Sequence, residues 1–185
     1  MISQPSDKHA DIRYLSLAAR ATIALCLLFG IASFPTAIHA AGPEYSLNTS
    51  SASPRTVEDT TAASIERDYA HAWKSLVAAL EANRAELLTE NFTGTARQRW
   101  QQAIDIQRQN GLSRRIVDHG HSLRVIFYSL DGSSLQLEDV ADLEIEYRDG
   151  GKVLSSEHIK SRYLVLLTPA EDSWKIRILE ELPPS

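Results

Sequence analysis

Cysteine is nearly missing from this chain: Cys26 is the only one among 185 residues. No disulfide can form within the chain, so the fold must be held by packing alone. An excess of positive charge is missing too, since 19 Lys and Arg stand against 24 Asp and Glu for a formal net charge of −5. Without a basic face to neutralise phosphates, general nucleic-acid binding is excluded. No set of metal ligands is spaced for zinc. His119 and His121 stand near Asp118, but neither His71 nor His158 falls where it would complete the set, so no metal and no cofactor is expected. The biased compositions of disordered and collagen-like chains are absent as well, because 43% of residues are apolar and 23% charged.

What the chain does have begins with an export segment. Residues 1–20 are polar and carry Lys8, Arg13 and Arg20 against Asp7 and Asp11. Residues 21–34 run without a charge, and Pro35 and a small-residue stretch around Ala37, Ala40 and Ala41 follow. A basic start, a short apolar centre and small residues at the end make a secretory signal. Residues 1–40 are therefore expected to be a signal peptide, cleaved after Ala40 or Ala41, with an exported (periplasmic or secreted) domain behind it. The alternative is an uncleaved anchor facing its domain outward, since residues 21–41 would just cross a bilayer of ~30 Å. Pro35 and His39 weigh against the anchor. The lack of cysteine beyond residue 26 fits an oxidising compartment.

Residues 41–56 are rich in Ser, Thr, Pro and Gly, and with so little apolar surface they are expected to form a flexible linker. Residues 57–182 are expected to form one domain. In it Ile65, Tyr69, Ala72, Trp73, Leu76 and Leu80 recur at three and four residues, which lines one face of a helix. A short second helix follows near 84–88, and Ala96, Trp100, Ala103 and Ile104 mark a third that ends at Asn110-Gly111. From Leu112 the period changes to two. Leu123, Val125 and Phe127 alternate with Arg124, Ile126 and Tyr128, and similar rows recur at Leu143–Tyr147, Tyr163–Leu167 and Trp174–Ile178. Asp149-Gly150-Gly151 makes a hairpin turn, and Asp131-Gly132-Ser133-Ser134 a turn or a bulge. The fold class is α+β: three N-terminal helices packed on an antiparallel sheet of about four to six strands.

This order resembles the nuclear transport factor 2-like (SnoaL-like) superfamily over residues 57–182. The resemblance rests on the helix bearing Tyr69 and Trp73, the central Asp131-Gly132, the strand ending Tyr163-Leu164-Val165-Leu166-Leu167, and the closing Trp174-Lys175-Ile176-Arg177. It implies a strongly curved sheet wrapped on the first helix as a cone, and pairing of two copies through the outer sheet face. It implies no particular activity, because the superfamily holds isomerases, cyclases and dehydratases beside non-catalytic domains.

The inward register decides between these. Facing the apolar alternate of each strand inward gives Tyr69, Trp73, Trp100, Phe127, Tyr163 and Trp174 as pocket residues and leaves no carboxylate or imidazole inside except near the strand ends. The acid/base candidates are Asp118 and His121 at a rim, with Tyr69 as a donor, although His119-Gly120-His121 reads more simply as a polar turn in solvent. Outward, Ile126, Tyr128, Leu164 and Leu166 form an association face for a homodimer or a partner. The expected function is an exported non-catalytic domain that binds a small apolar ligand or a protein partner. One alternative is a SnoaL-like or isomerase-type enzyme using Asp118, His121 and Tyr69; another is a membrane-tethered subunit of an envelope complex.

Overall fold

The structure is a computed structural model that describes residues 42–183. The expected signal or anchor stretch lies outside the described residues, among which no helix is long and apolar enough to cross a membrane. Eight elements follow one another: β1 (Glu44–Asn48), α1 (Asp59–Ala82), a 3-10 turn (Ala85–Leu88), α2 (Gly94–Gln109), β2 (Leu112–Tyr128), β3 (Leu135–Asp149), β4 (Lys152–Ala170) and β5 (Ser173–Leu182).

Helix α1 buries the expected stripe, Ile65, Tyr69, Ala72, Trp73, Leu76 and Leu80. Fully burying each large apolar side chain of this kind is worth about 1.5–3 kcal/mol. The helix ends where Asn83 turns left-handed (φ 55°) and returns its backbone N–H to Ala79, a common helix stop. The second of the three expected helices is only the 3-10 turn, so two α-helices are present among the described residues. The reason lies just downstream. Asn91 and Thr93 exchange backbone hydrogen bonds with Ile176 of β5, which pulls residues 91–93 into extended form before a longer helix can develop.

The sheet runs in the order β1-β2-β3-β4-β5. β2 to β5 form an antiparallel meander, as expected. β1 does not: it lies parallel to β2, from Glu44 opposite Gly120 to Asn48 opposite Arg124. The sheet is therefore mixed, and the expected linker contains an edge strand. Tyr45 and Leu47 face inward while Glu44, Ser46 and Asn48 stay exposed. This two-residue period is too short to stand out within Ser- and Thr-rich sequence.

The inner face is filled by Leu123, Val125, Leu135, Leu137, Val165, Leu167 and Ile176, all 1% exposed or less. Two irregularities overturn parts of the expected register. A shift in β2 between Val125 and Phe127 turns Phe127 outward (38% exposed) and Tyr128 inward (4%). Phe127 is thus no pocket residue and Tyr128 no part of an outer face. A second shift pairs Leu166 with Ile178 but Leu167 with Ile176, which leaves Ile178 half-buried and buries Leu179 instead. An extra residue in one strand flips every later side chain to the other face.

Candidate functional site

The other irregularity of β2 builds a buried polar cluster. Asp118 pairs with Leu143 and Gly120 with Asp142, which leaves His119 as the extra residue. Both Asp118 and His121, three positions apart, consequently face inward. His121 is not in a solvent turn; its side chain is wholly inaccessible, while that of His119 is 44% exposed. Gly120 is the enabling residue. Its φ is +142°, and a Cβ there would sit 2.9 Å from the Glu44 carbonyl oxygen, so only glycine lets β1 pair this closely.

The cluster is a chain of five side chains. Tyr69 Oη donates to Asp139 Oδ2 at 2.7 Å, and His121 Nδ1 meets the same oxygen at 2.9 Å. His121 Nε2 lies 3.3 Å from Asp118 Oδ1, within ion-pair range but off the hydrogen-bond line. Tyr45 Oη donates to Asp118 Oδ2 at 2.6 Å, and the Gly120 N–H donates to Oδ1 at 2.9 Å. The Tyr45 ring stacks on His121 with centroids 4.7 Å apart, and Trp73 packs against the same imidazole at 4.5 Å.

Burial would drive His121 toward its neutral form, but contact with Asp118 and Asp139 and their charges overrule it and hold its pKa up at about 9. Burial would likewise raise Asp118, yet His121 and the Tyr45 hydroxyl hold it below the usual carboxylate range. Burial first, then the charge of Asp139, pushes Tyr69 well above the ordinary phenol value. Tyr45 is raised by burial and by Asp118. The cluster is an imidazole held toward its protonated form between two acidic side chains, with two phenols as donors.

Asp118, His121 and Tyr69 thus converge, and the residue that joins them, Asp139, escaped the sequence reading. The signal was present: Asp139 falls in phase with Leu135, Leu137, Ala141, Leu143 and Ile145 along β3, all buried. The expectation of an inner face without ionisable groups is therefore incorrect. A carboxylate on the apolar alternate of a strand is costly unless paired, and here His121 and Tyr69 pair it.

A separate cavity of about 230 Å³ lies between the helices and the inner sheet face. Its apolar walls include Trp73, Trp100, Leu143, Ile145 and Tyr163, and its polar groups are Arg114, Glu157, Ser161 and Glu181. Trp73 lines this space and also packs on His121, so its indole stands between the cavity and the charged chain. Of the expected pocket residues, Trp73, Trp100 and Tyr163 border the cavity, whereas Tyr69 is fully buried in the cluster. Trp174 is held elsewhere, its ring 6.3 Å from Tyr128 and its backbone N–H on Asp68. A larger cleft of about 440 Å³ lies between β1 and α1, bordered by Tyr45, His71, Lys74 and Asp118. Ile126, Leu164 and Leu166 lie half-buried on the outer sheet face. Among the described residues no three His, Cys, Asp or Glu side chains are grouped to hold a metal ion.

No protein-family model matches the chain, and no curated protein matches it in sequence. Solved structures do resemble it. The intermembrane-space region of the chloroplast protein ARC6 superposes with a TM-score of 0.59 at 19% identity, over 70% of this chain and 98% of that one. A scytalone dehydratase-like protein from Novosphingobium aromaticivorans gives a TM-score of 0.41 at 12% identity, over 63% of this chain and 83% of that one. A ketosteroid isomerase-like protein from Shewanella frigidimarina gives 0.38 at 14% identity, over 64% and 94%. These are likenesses of fold alone. The chain shares its fold with the ARC6 intermembrane-space region.

Proposed function

We propose that this cone is a non-catalytic binding domain, exported from the cytoplasm, whose cavity takes a small apolar ligand. One observation carries the reading: the His121 imidazole at the centre of the acid/base cluster has no accessible surface and Trp73 stands between it and the cavity, while Asp118, which does border the cleft beside β1, has both oxygens engaged. Proton transfer needs a base in contact with the substrate. Here the imidazole already carries its proton, and Asp118 has both oxygens engaged. Burying the cluster ties β1, α1, β2 and β3 together, which is a structural task.

Binding of 1-octanol, followed by the indole resonances of Trp73 and Trp100, tests the reading. Saturable shifts are expected in the native protein, and Leu143→Phe, which fills the cavity, should abolish them. Absence of shifts in the native protein, or shifts indifferent to the filling, overturns it. Export rests on the pattern of residues 1–42, and amino-terminal sequencing tests it: a start at Ala41 or Gly42 supports cleavage, an intact segment the anchored form. Association rests on Ile126, Leu164 and Leu166, joined on that face by Val140, which is 40% exposed.

A further inference from the structure

We propose that the cavity's ligand is a small monocarboxylate, with its carboxylate on Arg114 and its apolar tail among Trp73, Trp100, Leu143 and Ile145. This rests on the reading above and narrows it to a ligand class. Arg114 borders the cavity from β2. Its Nε is buried and has no hydrogen-bond partner among the described residues. Its guanidinium lies 5.5 Å from the centroid of the Tyr147 ring, a cation–π contact that positions the group without satisfying its donors.

An unsatisfied buried donor is costly, and folded proteins nearly always supply it an acceptor. Here no described residue supplies one, which leaves the acceptor to solvent or a ligand. A carboxylate is the strongest partner for a guanidinium, because two parallel N–H···O bonds form at once and both carry charge assistance. The size of the space limits the rest. A volume of about 230 Å³ lies below the ~300–1,000 Å³ of pockets for drug-sized ligands, which suits an eight-carbon chain.

The two glutamates that border the cavity oppose an anion, and their placement decides how far. Glu157 and Glu181 are both exposed, so water screens them. Glu181 also accepts the Ser161 hydroxyl at 2.8 Å. One negative charge on Arg114 is therefore tolerated, while a second, at the far end of the ligand, would be buried without a partner among the apolar walls. The same groups set the rank order expected of ligands with equal chain length: octanoate, then 1-octanol, then suberate.

Calorimetric titration of the purified protein with octanoate, 1-octanol, octylamine and suberate tests this. Octanoate should bind about tenfold tighter than 1-octanol, a gap of charge-assisted hydrogen-bond size. Arg114→Met should close that gap, octanoate losing affinity until it binds no tighter than 1-octanol does to the same variant. Arg114→Lys, which keeps the charge but loses the fork, should restore only part of it and guards against a folding defect in the first variant. Equal affinity for octanoate and octanol, or preference for octylamine, overturns the carboxylate assignment and leaves the apolar cavity standing. Failure of 1-octanol and octanoate alike removes the cavity reading itself.

Discussion

His121 has a carboxylate against each ring nitrogen, and the consequence is a dependence of stability on pH. Its folded pKa of about 9 lies above the ordinary value of 6.5, so the folded state holds this proton more tightly than the unfolded chain. The stabilisation is fully present below pH 6.5 and is lost as pH rises through about 9. A shift of this size is worth on the order of 3 kcal/mol. Thermal unfolding between pH 6 and 10 should show the melting temperature falling across that window, and His121→Gln should flatten the fall. A melting temperature independent of pH over the same range would remove the imidazolium from the account. Asp118 acts at the other end of the scale. Held below the usual carboxylate range, it contributes stability that disappears as the solution becomes acidic enough to protonate it.

At the scale of elements, β1 is the part whose attachment is most conditional. It has five residues, pairs on one side only, and gains its hold through Tyr45, which stacks on His121 and donates to Asp118. Gly120 permits that approach. Gly120→Ala would place a methyl 2.9 Å from the Glu44 carbonyl oxygen in a backbone region that side chains rarely adopt. The expected cost is about 1–3 kcal/mol, concentrated on one strand. Amide hydrogen exchange should quicken at residues 44–48 and at their β2 partners while the β3–β4 hairpin keeps its protection. Uniform loss of protection would mean that β1 is integral to the sheet rather than clipped onto it. The shifts at His119 and between Val125 and Phe127 belong to the same scale. The first brings His121 inside, and the second turns Phe127 out and Tyr128 in.

For the molecule as a whole, the two faces of the sheet offer different things. The inner face with α1 encloses an apolar core, the charge cluster around His121 and a small cavity. The outer face mixes Ile126, Leu164 and Leu166 with charge, since Arg124 and Arg162 both reach Glu138, at 2.6 and 3.9 Å. If that face pairs two copies, each Leu166 is desolvated by its partner, so Leu166→Glu is expected to convert a dimer into a monomer in sedimentation velocity. A native protein that sediments as a monomer at every concentration would leave this face unpaired.

Sequence periodicity alone was enough for the α1 stripe, the change of period at Leu112, the hairpin at Asp149-Gly150-Gly151 and the α+β class, because each depends on neighbours along one chain segment. The composition likewise excluded disulfides and a basic nucleic-acid face. Tertiary structure decided the rest. Whether Asp139 is a buried partner or a surface charge depends on what lies across the sheet and beneath it, and neither His121 nor Tyr69 is its neighbour in sequence. The parity of a strand also survives only until an extra residue intervenes, and a single extra position at His119 determines which side chains meet. That reversal, invisible to a pattern of alternating polarity, separates a solvent-facing histidine from one buried against the inner sheet face.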